Sequence, residues 1–171
     1  PTDGAALDSP LEAAVSMVQA PTGRLALMVT DVQDSSVLWD RAPGAMHSAL
    51  QIHDAVLRTL IEETGCYEVK AQGDSLMIAA PNASIAVAWC LEAQRRLLAA
   101  DWPRILLEQS SSAAEQSADG EPLFGGLRVR MGVHIGTPKA RQDATTGRMA
   151  YFGAAVNRAS RLVKQKSEGA S

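Results

Sequence analysis

An α+β fold is predicted by three features of this sequence. An apolar run, Arg24–Thr30, is followed by a long stretch of helical period, then by two short β-type runs parted by Ala71-Gln72-Gly73-Asp74. A second helical stretch follows, and after it a strand of strict alternation, Leu127–Ile135. The resulting order, β-α-β-β-α-(insertion)-β-loop-α, is that of a ferredoxin-like (split βαβ, palm-like) antiparallel sheet with helices on one face. The uncovered face is then open to a ligand or a second chain.

Each element has its own signal. Residues 1–21 read as an N-terminal leader or linker, in which Ser9-Pro10 could open a short helix with Leu11, Val15 and Val18 on one side. Pro21-Thr22-Gly23 breaks the chain before the first strand. Asp40–Gly44 is a turn region, and from Ala45 to Thr64 the rows Ile52, Val56, Leu60 and Leu50, Leu57, Ile61 mark one helix face. Gly65 suits the helix stop. Cys66–Lys70 and Ser75–Ala79 then form a hairpin, because Gly73 permits the backbone angles of a tight turn. Ala83–Ala100 is the second helix, with Ile85, Ala88, Trp89, Leu91 and Leu97 giving a broad apolar face.

Residues 107–126 are rich in Ser, Ala, Glu and Gly without period, and read as a surface insertion of disorder-prone composition. In Leu127–Ile135 the odd positions are apolar, while Arg128, Arg130 and His134 fall on the other face. Gly136–Ala150 is a polar loop or a hairpin turning at Thr146-Gly147, and Phe152–Lys164 is the last helix.

Composition narrows the class. The chain has 171 residues, 46% of them apolar and 20% charged, which suits one soluble domain with a core. A net charge of −3 gives no case for nucleic-acid binding. No apolar run approaches a membrane span, and the first residues lack a signal peptide's pattern, so a cytoplasmic domain without direct membrane contact is expected. Pro1 as first residue reads as a segment of a longer parent, whose membrane association stays open. Cys66 and Cys90 form no CxxC and no His/Cys cluster, which argues against zinc and for reduced thiols. His47 and His53 read as surface or core-edge residues, and Trp39, Trp89 and Trp102 as packing anchors.

Two carboxylates stand out. Asp31 ends the first strand in LALMVTDVQDSS, and Asp74 sits in the hairpin turn. In this topology the first strand pairs with the hairpin, so the two can lie close and bind a hard divalent cation through oxygen. Aspartate is also common after strands and beside glycine, and on residue type alone that turn reading is the stronger.

The ordered set VTDVQDSSVLW, YEVKAQGDSLMIA, LRVRMGVHIG and YFGAAVNRASRL resembles the catalytic domain of class III nucleotidyl cyclases, most of all the fungal and trypanosomatid adenylyl cyclases. The resemblance runs from about Pro21 to Gly169 and implies a cyclase domain over 22–171, shortened at its C-terminus. It implies an enzyme that converts ATP to cyclic AMP and pyrophosphate by attack of the ribose 3′-hydroxyl on the α-phosphate. Asp31 and Asp74, with the Val32 carbonyl, match the ligands of two Mg²⁺ or Mn²⁺ ions. Asp34, Ser35 and Ser36 match the turn whose amides face the triphosphate. Lys70 matches the lysine that reads adenine, Asn157 the ribose-positioning residue, and Arg161 the arginine that stabilises charge on the α-phosphate. The family's site is shared between two domains, so the implied partner is a second copy in a head-to-tail homodimer. Lys70, Asn157 and Arg161 would come from the neighbour.

Three positions depart from the family pattern. Ala150 stands where relatives carry an acidic residue that accepts from the adenine amino group. Thr137 follows the His-x-Gly step where many relatives have arginine, and the chain stops before the strands that bring a phosphate-binding lysine. These departures keep two alternatives in view: a catalytically weak or inactive cyclase-like domain that binds nucleotide or regulates, and a guanylyl cyclase. Lys70 in place of the expected Glu weighs against the guanylyl pattern. A diguanylate cyclase is disfavoured because the hairpin reads AQGDS.

Overall fold

The structure, a computed structural model, describes residues 18–164. Its elements are β1 (Leu25–Val32), α1 (Ser35–Arg41), α2 (Pro43–Thr64), β2 (Tyr67–Gln72), β3 (Ser75–Ala80), α3 (Ala83–Leu98) and α4 (Arg104–Leu107), followed by β4 (Glu115–Gln116), β5 (Pro122–Phe124), β6 (Val129–Gly136), β7 (Lys139–Gln142), β8 (Met149–Phe152) and α5 (Ala154–Lys164). The leader helix expected from Leu11 onward lies outside the described residues, apart from Val18.

The main sheet has the order β2-β3-β1-β6. All its pairings are antiparallel, with β1 central between β3 and β6. This is the ferredoxin-like arrangement expected from the sequence. Alternation along β1 divides the core. Ala26, Met28 and Val32 pack with Met46, Leu57, Leu60, Trp89 and Ala93, beneath α2 and α3. Leu25, Leu27 and Val29 point the other way and pack with Ala155, Ala159 and Val163 of α5. The second face is therefore not bare, as an account with helices on one face alone would have it. Helix α5 comes close because β6 offers glycines there: a Cβ on Gly132 would sit 3.0 Å from the Val163 nitrogen, and one on Gly136 2.8 Å from Ala155 Cβ.

Local chemistry explains the boundaries. Pro43 opens α2 at its first turn, where its missing N–H costs nothing, and Gly65 closes it at φ 65°. The turn expected at Asp40–Gly44 shrinks to Ala42, since α1 and α2 follow each other directly. Asn82 caps α3 by accepting from the Ile85 amide at 3.0 Å. Arg58 joins α2 to β2 by donating to Glu68 at 3.0 Å. His53, expected at the surface or core edge, is fully buried, with Nδ1 2.9 Å from Asp54 Oδ1. That contact, with Arg58 adding to it, holds the Asp54 carboxyl below its usual range.

The segment read as an insertion is anchored at both ends. Ser112 is buried and donates to the Leu106 carbonyl at 2.5 Å, and β4 and β5 pair into a small hairpin. Gly126 takes φ 82° against the buried Trp102 ring. Trp89 and Trp102 are core residues, whereas Trp39 is 38% exposed and anchors little. Cys66 and Cys90 are free, and burial pushes the Cys90 thiol up to about 11, which makes it inert at neutral pH. No described helix is long and apolar enough to cross a membrane.

Candidate active site

The end of β1 and the β2–β3 turn are tied together by Thr30. Backbone pairing of β1 with β3 extends to Val29↔Met77. Beyond it, Thr30 continues the join: its carbonyl accepts from Ser75 Oγ at 2.6 Å, and its Oγ1 accepts from the Leu76 amide at 3.1 Å. Thr30 is fully buried. Asp31 follows Thr30 in β1 and Asp74 precedes Ser75 in the turn, so the two carboxylates flank this join. The turn itself is a two-residue connection between the paired Gln72 and Ser75, with Gly73 at φ 60° in its first position. That is the geometry of a type II′ hairpin turn, which glycine alone adopts without strain.

Asp31 and Asp74 both line a cavity of about 260 Å³, together with Lys70, Gln72, Ser160 and Lys164. Asp74 is half-buried, and its Oδ2 is buried without a hydrogen-bond partner. Asp31 is half-buried too and forms an ion pair with Arg130. An orphaned carboxylate oxygen next to a second carboxylate is a poor protein interior and a good cation site. The residues present thus fit a divalent metal. The centre is a pair of carboxylates: among the described residues no cluster of three or more His, Cys, Asp or Glu could hold a metal. Val32 can add only its carbonyl, since its side chain is in the core.

Asp34 takes a left-handed φ of 54°, uncommon outside glycine but tolerated by aspartate. It turns the chain from β1 into α1, and the first helical bond runs from the Leu38 amide to the Asp34 carbonyl at 3.2 Å. The amides of Ser35, Ser36 and Val37 precede that bond and are free for an anion.

The other expected residues lie apart. Asn157 and Arg161 are exposed on α5, one turn from each other, and neither lines the carboxylate cavity. Lys70 does line it, beside the aspartates of its own chain. Ala150 is half-buried in β8, across from Arg141 of β7. Larger clefts of about 640 and 550 Å³ exist elsewhere, but neither holds the two carboxylates. The sequence reading missed Thr30, Arg130, Ser160 and Lys164. Only Arg130 left a trace, as a charge on the polar face of its strand.

A family model described as the adenylate and guanylate cyclase catalytic domain matches residues 17–170. The chain belongs to that family. This cyclase domain is 40% identical over 156 residues to the adenylate cyclase of Neurospora crassa, covering 91% of this chain and 7% of that protein. To the receptor-type adenylate cyclase GRESAG 4.3 of Trypanosoma brucei brucei it is 37% identical over 163 residues, covering 85% of this chain and 13% of that one. The domain thus spans a small part of the length of these relatives. A solved adenylate cyclase of Trypanosoma brucei, described as monomeric, has the same fold, with a TM-score of 0.76 at 32% identity over 85% of this chain and 70% of that one. A guanylyl cyclase domain from the fungus Blastocladiella emersonii shares the fold at a TM-score of 0.61 and 17% identity, covering 83% of this chain and 74% of that one.

Proposed function

We propose that this domain is the catalytic part of an adenylyl cyclase, converting ATP to cyclic AMP and pyrophosphate. The observation that carries the reading is that Asp31 and Asp74, on either side of the Thr30 join, line one cavity and Asp74 Oδ2 is buried there without a partner. Asp31, Asp74 and the Val32 carbonyl would hold two Mg²⁺ or Mn²⁺ ions. When bound, these supply Lewis acidity toward the ribose 3′-hydroxyl and the phosphate oxygens.

The chain's own residues would do the rest. The amides of Ser35 and Ser36, at the start of α1, would donate to the triphosphate oxygens, and the turn at Asp34 aims them. Lys70 would donate to a ring acceptor of adenine. Asn157 would orient the ribose so that its 3′-oxygen lies in line with the leaving pyrophosphate, a matter of position rather than of covalent chemistry. Arg161 would place a fixed positive charge where negative charge grows on the α-phosphate.

Asn157 and Arg161 stand outside the cavity that holds the aspartates of the same chain, which supports a site completed by a second copy in a head-to-tail homodimer. In such a dimer the same chain offers its aspartates to one site and its α5 residues to the other.

An assay of the domain at high protein concentration with ATP and Mn²⁺ tests the reading. Cyclic AMP production that vanishes in Asp74→Asn is expected, and no cyclic AMP from the unsubstituted domain overturns the enzyme. One observation favours a second reading, a nucleotide-binding domain with weak turnover or relaxed base choice. At Ala150 no side-chain acceptor faces the base, and the neighbour across the hairpin is the donor Arg141. Inhibition by GTP as strong as the affinity for ATP would favour that reading.

A further inference from the structure

Arg130 is placed with unusual definiteness for a residue outside the proposed machinery. It is the Cα partner of Asp31 in the β1–β6 ladder, so the two side chains leave the sheet on the same face and directly opposite each other. Its Nη2 donates to Asp31 Oδ2. Its Nε is buried without a partner, and among the described residues Asp31 is the one side chain it bonds. The strand register therefore sets the guanidinium against a single carboxylate oxygen.

That arrangement has two chemical consequences. A carboxylate held at one oxygen by a planar, permanently charged group loses its freedom to rotate, while the other oxygen keeps its lone pairs. Ligating carboxylates in metal sites are commonly oriented by such a neighbour, and the neighbour contributes to affinity by fixing direction. Against this stands the repulsion between the guanidinium and an incoming cation. Because Arg130 engages Oδ2, a cation on Oδ1 approaches from the other side of the carboxylate, and the partly exposed pair is screened by water. Which of the two effects prevails is read directly as cation affinity.

We propose that Arg130 is the positioning residue for Asp31, holding the carboxylate through Oδ2 and presenting Oδ1 to a divalent cation. This rests on reading Asp31 and Asp74 as a metal pair. The test is direct Mn²⁺ binding to the purified 171-residue chain, followed by electron paramagnetic resonance of free Mn²⁺ and by calorimetry, with and without a non-hydrolysable ATP analogue. Asp31→Asn is the control. If the unsubstituted chain binds no Mn²⁺, or Asp31→Asn binds it equally well, the metal reading itself fails and takes the proposal with it.

If both controls behave, Arg130→Met is expected to bind Mn²⁺ about 10–100-fold more weakly. Arg130→Lys, which keeps charge but not the planar fork, should recover part of that loss. Unchanged affinity in Arg130→Met overturns the positioning role. Tighter binding overturns it in the opposite sense, marking Arg130 as a competing counter-cation. Should Arg130→Met fail to fold, Arg130→Gln carries the test: weakened binding is expected, and unchanged or tighter binding overturns the proposal.

Discussion

At the residue scale, the site depends on a threonine that carries no charge and touches no proposed ligand. Thr30 Oγ1 is the acceptor for a buried backbone amide, that of Leu76. Thr30→Val keeps the shape and removes the acceptor, leaving an N–H unpaired in the interior. The expected cost is about 1–3 kcal/mol, read as a lower urea midpoint with an unchanged slope. A variant as stable as the original would mean that the join is held by the Ser75 bond alone. The neighbouring carboxylates show why residue type was a weak guide here. Aspartate ends many strands and fills many turns for reasons of backbone chemistry. What distinguishes Asp74 is an oxygen with no partner, a property of the folded chain.

At the scale of elements, two joints set how the helices and the insertion sit. Helix α3 is fastened to α2 by a charged chain in which Arg96 bonds both Glu92, at 2.7 Å, and Glu63, at 2.5 Å. Hydrogen bonds from Arg95 and then Arg96 hold the Glu92 carboxyl at about 2, below its ordinary 4.5. A lowered folded pKa means that the stabilisation is complete above about pH 4.5 and disappears as pH falls toward 2. Glu92→Gln should therefore lower stability at pH 6 and flatten its decline between pH 4.5 and 2, measured by thermal unfolding across that range. An identical acid limb in both proteins would show that solvent screens the pair completely.

The second joint is Gly126, where an added Cβ would fall 2.2 Å from the Trp102 ring. The ring cannot swing away cheaply, since its Nε1 donates to the Leu97 carbonyl at 2.8 Å. Gly126→Ala combines left-handed strain with overpacking and is expected to cost about 2–4 kcal/mol, seen as a fall in thermal midpoint. A loss under about 0.5 kcal/mol would mean that the insertion moves independently of the core.

At the scale of the whole molecule, the proposed site is divided by the sheet's own geometry. The carboxylates sit at the junction of β1 with the β2–β3 turn, while α5 presents Asn157 and Arg161 outside that cavity. If two copies complete each other's sites, Asp31→Ala and Arg161→Ala chains should each be inactive alone and recover on mixing. About a quarter of the unsubstituted rate is expected, because half of randomly paired dimers are mixed and each carries one intact site. No recovery, with mixed dimers confirmed by mass, would rule out the shared arrangement. Lys70 is the point of tension, since it lines the cavity with the aspartates of its own chain. Lys70→Met in the same mixing scheme tells which copy it serves: rescue by the Arg161→Ala chain is possible only if Lys70 belongs with the aspartates.

The sequence by itself determined the order of the main-sheet strands and of the three longer helices, α2, α3 and α5, the central place of β1 and the residues worth suspecting. Periodicity and turn chemistry act over a few residues, and hydrophobic rows such as Ile52, Val56 and Leu60 or the alternation of Leu127–Ile135 are written locally. Four motifs in order sufficed for the family. Tertiary structure alone decided which residues meet. Asp31 and Arg130 are 99 positions apart, and only strand register makes them partners. Ser160 and Lys164 reach the cavity, whereas Asn157 and Arg161 on the same helix do not, because glycines at 132 and 136 let α5 lie flat on β6 in one rotation. Proximity across the sheet is set by packing, and no spacing along the chain records it.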